Sequence, residues 1–318
     1  MKALVVQEGK RVTVQDHPVP LLGPDDILVK TIAVAQNPTD WKFIESRATP
    51  GTILGCDFSG YVVQVGQNIS FPPVGAHVAG FVQGGTFTDS GAYAEYVRTR
   101  ADLVWAVPDG TLSHEQAATM GCAFWTAAQA LYHSSRLGLA EPPLITNGED
   151  WVLIYGGSSS VGQFAIQLAH LSGYKVVSTA SPRNFALVRG LGADAVFDYR
   201  DPEVVQKVKD AAGDSIRAAL DTISTKESQA ISARTIAPAG GKLVLLLPPE
   251  PEAKVREDVE IVRELIYTAL GREFNFGPVH FLISTEDNAH MVTFLKKVSD
   301  LVSSGKIKAN PVKLWRAG

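Results

Sequence analysis

Leu153-Ile154-Tyr155-Gly156-Gly157-Ser158-Ser159-Ser160-Val161-Gly162-Gln163 joins a short apolar run to a helix-forming run through a cluster of glycines and serines. A turn of this composition leaves backbone N–H groups unshielded at the positive end of a helix, which suits a pyrophosphate. Gly157, Ser158, Ser159, Ser160 and Val161 would surround the phosphates, and Gly162 would let the helix pack close to the strand. Serines occupy the middle, so the spacing departs from Gly-x-Gly-x-x-Gly. A tight strand-to-helix turn with no ligand is the other reading of the same residues. The position of the turn, at the head of a series of strand–helix units, favours a dinucleotide. Enzymes that use NAD place Asp or Glu about 20 residues further on, at the end of the second strand, to bind the ribose 2′-hydroxyl. Here that strand runs out through Ser178-Thr179-Ala180-Ser181-Pro182-Arg183-Asn184. No carboxylate stands there to repel a 2′-phosphate, and Ser181, Arg183 and Asn184 can each donate to one. The competing reading is a surface loop whose serine and asparagine cap the next helix. NADPH is the expected cofactor.

Weaker signals lie further along. Tyr199 suits a stack on adenine, with Arg200 beside it, or the pair simply ends a strand. Leu247-Pro248-Pro249 closes a strand at the sheet edge where ligands bind in such folds. Phe274 and Phe276 either line an apolar substrate pocket or belong to the core. Asp57 is expected to structure its surroundings by hydrogen bonds instead of doing acid–base work, and no Ser–His–Asp grouping has local support.

The elements that must hold these residues fall into two regions. Residues 3–7, 12–15, 27–35, 60–65, 77–82, 93–97 and 104–107 are short runs rich in Val, Ile, Tyr and Phe. Gly23-Pro24-Asp25-Asp26, Pro50-Gly51, Pro72-Pro73 and Gly84-Gly85 separate them as turns. Ser113 and Gln116 form a capping-box pattern, and Ala117, Ala118, Cys122, Trp125, Ala128 and Leu131 continue with helical spacing. Five apolar strands then follow, at 152–156, 175–179, 195–198, 218–222 and 243–247, with helices at 161–171, 185–191, 203–211 and 227–236 between them. Wholly apolar strands alternating with helices require a parallel sheet covered on both faces. The tail, with a helix at 287–303, is expected to return to the first region. Lys and Arg number 29 against 33 Asp and Glu, without a basic block, so no nucleic-acid surface is expected. No apolar stretch is long enough to span a membrane. The N-terminus shows no secretory h-region, and two cysteines suit a reducing compartment, so a cytoplasmic location is expected.

The whole sequence resembles the medium-chain dehydrogenase/reductase superfamily. The resemblance rests on Asn37-Pro38-Thr39-Asp40-Trp41-Lys42, Gly55-Cys56-Asp57-Phe58-Ser59-Gly60, Gly91-Ala92-Tyr93-Ala94-Glu95-Tyr96, Thr126-Ala127 and the Gly-Gly-Ser-Ser-Ser-Val-Gly turn. Asn184-Phe185, Phe197-Asp198-Tyr199-Arg200, Gly271-Arg272-Glu273-Phe274 and Asn310-Pro311-Val312-Lys313 are similar to the zinc-free fungal enoyl reductases, including those that act in trans with polyketide synthases. The resemblance implies an α/β chain: a β-rich GroES-like catalytic domain over residues 1–120, completed by 286–318, and a Rossmann domain with a doubly wound parallel sheet over 121–285. It also implies that relatives run beyond Lys313-Leu314-Trp315 into a helix and a strand that close the catalytic domain, which a chain ending at Gly318 would lack.

Zinc members of the superfamily take three ligands from positions that here hold Asn37, Cys56 and Cys122. A neutral amide is a poor zinc ligand, the four-cysteine structural lobe is absent, and the histidines show no ligand spacing. No metal is expected. The resemblance implies that Lys42 orients the substrate carbonyl and supplies a proton, that Asn37 meets the nicotinamide ribose or the substrate, and that Thr126 lies at the nicotinamide end. Each also has an ordinary reading: Lys42 as a solvated charge, Asn37 as a turn residue before proline, Thr126 as a helix hydroxyl bonded to its own backbone. Trp41 joins Phe274 and Phe276 as a substrate-facing candidate. The expectation is an NADPH-dependent reductase of an activated C=C bond in an enone or enoyl thioester, small or carrier-bound, with a polyketide synthase as partner. Quinone reduction and NADPH binding without turnover are the alternatives, and oligomeric state is not legible.

Overall fold

A computed structural model describes residues 1–315. The Gly318 end and its implied missing strand lie outside the described residues. The chain divides into two compact units: Met1–Trp125 with the chain from Ile266 onward, and Thr126–Leu265. The second unit is thus shorter than the 121–285 segment implied by the resemblance. Residues 266–285 group with the first unit, where Tyr267 and Phe274 are buried.

In the first unit, β1 (Lys2–Gln7) and β2 (Arg11–Asp16) form a hairpin. After them come β3 (Asp26–Ala35), α1 (Pro38–Ser46), β4 (Asp57–Val65), β5 (His77–Phe81), β6 (Tyr96–Arg100) and β7 (Val104–Ala106). Five of these strands make one antiparallel sheet in the order β6-β3-β4-β5-β7. Period-2 alternation sends Ile27, Val29, Phe58, Val62, Val78 and Val97 into a single core. Asn37-Pro38-Thr39-Asp40 is the start of a nine-residue helix rather than a free-standing turn. Pro38 fits its first position and Asp40 its first turn, where an acidic side chain meets the positive helix end.

The expected capping box is present: Ser113 Oγ accepts from the Gln116 N–H at 3.3 Å, and Gln116 Oε1 accepts from the Ser113 N–H at 2.9 Å. The helical spacing from Ser113 to Leu131 is split, however, into α2 (His114–Ala118) and α3 (Cys122–Tyr132). The break falls beside Gly121, where an added Cβ would lie 2.3 Å from Asp57 Oδ1.

The second unit is a doubly wound α/β sheet. Its strands and helices are β8 (Trp151–Tyr155), α4 (Ser160–Leu171), β9 (Lys175–Ala180), α5 (Phe185–Gly190), β10 (Ala195–Asp198), α6 (Val204–Ala212), β11 (Ala218–Asp221), α7 (Lys226–Thr235), β12 (Gly241–Leu245) and β13 (Val259–Arg263). The six strands are parallel in the order β10-β9-β8-β11-β12-β13. Buried Leu153, Val177, Leu243 and Leu245 pack with helix residues Val204, Val208 and Ala233. The sixth strand escapes the apolar-run criterion because it sits at the edge. Val259-Glu260-Ile261-Val262-Arg263 has only Val259 buried and can keep its charges. Successive units leave β8 in one direction and resume at β11 on its other side, which opens a crevice at the carboxyl ends of these two strands.

The chain then returns to the first unit through the hairpin β14 (Phe274–Phe276) and β15 (Val279–Phe281) and the long α8 (Thr285–Ser303). Among the described residues no helix is long and apolar enough to cross a membrane. Phe58 is fully buried at the centre of the antiparallel sheet. Phe58→Ala should therefore cost about 3–5 kcal/mol, read as an early unfolding transition in denaturant. A cost under about 1 kcal/mol would mean that this core does not hold the unit together.

Candidate active site

The strand-to-helix turn is built by side chains that hold it from below. Gly156 has φ +80°, and a Cβ there would lie 2.6 Å from Thr222 Oγ1. Thr222 Oγ1 donates to the Tyr155 carbonyl at 2.8 Å, so its contact with Ser159 Oγ, also 2.8 Å, uses the serine proton. Ser159 is the N-cap of α4 and accepts the Gly162 N–H at 2.9 Å. A Cβ on Gly162 would sit 2.3 Å from the Gly156 carbonyl, so only glycine lets the helix start this close. The N–H groups of Ser158 and Val161 have no acceptor among the described residues. Two open donors at a helix N-terminus, over a turn with no room for side chains beneath it, fit a nucleotide pyrophosphate.

The flanking loops continue this edge of the sheet. Buried Asp221, at the end of β11, accepts from the Ile223 and Ser224 N–H groups and from Ser228 Oγ, at 2.9, 2.8 and 2.6 Å. Burial raises its pKa, and the three donors oppose that shift. The loop so fixed leaves Ile223 exposed, and Leu247 and Tyr199 are exposed on neighbouring loops. After β9, Asn184 Nδ2 donates to Ser181 Oγ at 3.3 Å. Two arginines there differ in kind. Arg200 grips Asp198 with two nitrogens, at 3.0 and 2.9 Å, so its charge is already matched. Arg183 has no carboxylate partner among the described residues.

In the first unit the site grows from Asp57, a fully buried carboxyl on β4. Its Oδ2 accepts from Asn37 Nδ2 at 2.8 Å, and its Oδ1 accepts the Cys122 N–H, the first of α3, at 2.6 Å. Burial pushes Asp57 up to about 8, against the pull of its two donors. Asp40 lies close by. It accepts the Asn37 N–H and the Tyr93 hydroxyl, both at 2.7 Å, and burial raises its pKa as well. Thr39 and Tyr267 share a 2.5 Å hydroxyl contact.

Tyr267 anchors an aromatic cluster with Phe43, Phe81, Phe274 and Phe276. Phe274 is 3% exposed and stacked on Phe281, so it backs this cluster instead of facing a pocket. Phe276 carries the Arg47 guanidinium 3.9 Å above its ring. Trp41 and Lys42 stand on α1, Trp41 exposed, with the ammonium 5.8 Å from the indole centroid. Lys42 has no carboxylate partner among the described residues. Thr126, on α3 one turn after Cys122, is buried, and its hydroxyl makes no hydrogen bond among the described residues.

The three positions aligned with zinc ligands do not fit the metal. Asn37 points its donor nitrogen at Asp57. Cys56 is buried, and desolvation holds its thiol well above the ordinary range, where zinc needs a thiolate. Among the described residues no three His, Cys, Asp or Glu side chains are grouped to hold a metal ion.

The sequence does not single out Asp40, Tyr93 or Tyr267 as neighbours of Asn37 and Thr39. Asp40 and Tyr93 sit in sequence motifs already noted, but the bond between them joins residues 53 apart. Tyr267 meets Thr39 across 228 residues, and no local spacing announces such a contact.

Comparison with known proteins bears on the whole chain. The alcohol dehydrogenase GroES-like domain family matches residues 23–109, and the zinc-binding dehydrogenase family matches residues 160–265. A trans-enoyl reductase of Alternaria alternata is 41% identical over 322 residues, covering 100% of this chain and 91% of that protein. Among solved structures, an alcohol dehydrogenase superfamily protein from Novosphingobium aromaticivorans superposes with a TM-score of 0.79 at 26% identity, covering 97% of this chain and 88% of that one. The quinone oxidoreductase from Coxiella burnetii gives a TM-score of 0.70, also at 26% identity, with 96% and 88% covered.

The raised pKa of Asp57 has a definite sign in stability. The unfolded carboxyl ionises near its ordinary value of 3.8, whereas the folded one stays neutral to about 8. Its contribution is complete at low pH and is lost as pH rises through that window. In thermal unfolding from about pH 5 to about pH 9, wild type should lose stability relative to Asp57→Asn, levelling above about pH 8. A difference that stays constant across this range would show the folded carboxyl to be ionised throughout.

Proposed function

The chain belongs to the medium-chain dehydrogenase/reductase superfamily of oxidoreductases, and on that premise we propose that it reduces the activated C=C bond of an enone or enoyl thioester with NADPH and without zinc. The observation that carries this reading is an ammonium without a carboxylate partner among the described residues, Lys42, on the short helix capped by Asn37, which stands at a zinc-ligand position with its amide bonded to the Asp57 carboxyl. NADPH, when bound, supplies the hydride.

The remaining work falls to side chains of this chain. Reduction at the β-carbon leaves negative charge on the carbonyl oxygen, and without a metal that charge needs a donor or cation. Lys42 meets this need by orienting the carbonyl, holding the developing enolate and returning a proton. Asn37 and Thr126 position the reacting ends, Asn37 with its amide fixed by Asp57. Ser158 and Val161 offer N–H groups to the pyrophosphate. Ser181, Arg183 and Asn184 take the 2′-phosphate, with Arg183 as the cation not already matched, and Tyr199 and Leu247 flank the nucleoside parts. Trp41 and Phe276 offer apolar surface to the acyl chain. The substrate class follows the trans-enoyl reductase relative, and with it a carrier-bound substrate delivered by a polyketide synthase in the cytoplasm. Quinone reduction is the second reading, favoured by the likeness to the Coxiella burnetii protein.

The first test follows NADPH oxidation with a trans-2-enoyl thioester, with NADH and a quinone in parallel. Consumption with NADPH and thioester is the expected result, and turnover of the quinone alone would replace this reading with the second. Lys42→Ala should lower turnover about 100-fold or more with NADPH affinity nearly intact, whereas joint loss of binding and turnover would make Lys42 a cofactor support. Arg183→Ala should weaken NADPH about tenfold and leave NADH unchanged, as expected for one charge-assisted contact. Metal analysis of the active protein should find far less than one zinc per chain.

A further inference from the structure

β4 carries a second buried polar residue on the Asp57 face. Ser59, two residues on, is fully buried, and its hydroxyl meets two imidazoles: His77 Nε2 on β5 at 2.7 Å and His114 Nδ1 at the start of α2 at 3.0 Å. The two rings lie 3.8 Å apart between centroids, with Tyr61 edge-on to His114 at 4.8 Å. The buried Ser59 hydroxyl has no other partner among the described residues, so its one proton goes to one imidazole and its lone pair accepts from the other. His114 Nε2 is buried and has no hydrogen-bond partner among the described residues, which assigns it as the ring's unprotonated nitrogen. His114 Nδ1–H therefore donates to Ser59, and the Ser59 hydroxyl donates to His77.

We infer that Ser59, His77 and His114 form a latch that holds α2 on the sheet while both imidazoles are neutral and releases it when they take up protons. A proton on His114 would create an N–H at Nε2 with no acceptor, which costs the full desolvation of that group. A proton on His77 would remove the lone pair that Ser59 uses and set a cation against the second ring. The other ionisable groups about the pair are Tyr61 on β4, Lys30 opposite Tyr61 on β3, Asp109 before α2 and Glu115 on α2. Asp109 favours a charged His77 and Glu115 a charged His114. Burial outweighs both, holding His114 below the ordinary histidine value of 6.5 and His77 down near 4. A base whose folded pKa is lowered gives stability that is complete above its ordinary value and is lost as pH falls toward the folded one. The latch thus weakens on acidification from about pH 6.5 toward 4.

The release bears on the site through the chain that follows α2. Asp57 holds that chain at the Cys122 N–H, so β4 grips it at both ends, once by Ser59 and once by Asp57. Asn37 hangs on the same Asp57. Loss of the Ser59 grip would loosen the Asp57 grip and free Asn37, and this consequence for turnover rests on the role proposed for Asn37 above.

Amide hydrogen exchange over α2, corrected for intrinsic rates, tests the latch without reference to activity. Opening should rise about tenfold or more between about pH 7.5 and about pH 5 in the unmodified protein. In the His77→Gln/His114→Gln double variant, which keeps hydrogen bonding without titration, it should not rise. Exchange independent of pH in the unmodified protein, or the same rise in the variant, would overturn the latch. Should the variant not fold, ring NMR titration of the unmodified protein decides: a His77 midpoint well under the ordinary histidine value supports it, and one at or above that value sinks it. An acid-labile α2 with unaffected turnover would keep the latch and remove the role given to Asn37.

Discussion

A carboxyl with no access to water is costly unless its oxygens are engaged, and Asp57 is the place where that cost shapes the first unit. Its two oxygens take the side-chain amide of Asn37 and the first N–H of α3, so one buried group fixes the cap of α1 and the start of α3. Gly121 is the condition for this arrangement, because any side chain there would collide with the carboxyl. The break between α2 and α3 is therefore the geometry that brings a helix terminus onto a buried acceptor.

The second unit solves a different problem with similar means. A phosphate-sized anion needs open N–H groups, and open N–H groups need a backbone that nothing crowds. Thr222, from the turn after β11, holds the turn after β8 by bonding Tyr155 and Ser159, while Gly156 and Gly162 keep the space clear. The cradle is thus a property of two adjacent strands, which is why the switch in strand direction at β8 and β11 is where it forms.

These facts mark what sequence reasoning can reach. Both halves of the fold expectation hold, because parallel strands buried on both faces and an alternating antiparallel sheet leave different periodicities. β13 is not legible in the sequence since an edge strand need not be apolar throughout, and α1 passes for a turn because its length is carried by Trp41, Lys42 and Phe43, a mixed run without clear period. The glycine–serine turn is visible because its own residues are consecutive, whereas Thr222, which holds it from below, lies 66 residues from Gly156 and is not. Of the Asp57 network, the sequence offers the carboxyl as a hydrogen-bonding group that structures its surroundings, but not its partners. Its members come from β4, the cap of α1 and the start of α3, and its neighbours Tyr93 and Tyr267 come from further still.

Charge is where structure adds most to residue type. Arg200 and Arg183 look equivalent as letters near the end of a strand, yet Asp198 neutralises the first and nothing among the described residues neutralises the second. Arg98 is likewise spent on Asp26 and Asp89, and Arg136 on buried Glu264. A cation already matched gains little from a ligand anion, because the new attraction must replace an existing one. An unmatched cation gains all of it, less the cost of losing water. Lys42 and Arg183 have no carboxylate partner among the described residues, one in each unit, and the reduction proposed above calls for one cation at the 2′-phosphate and one at the enolate.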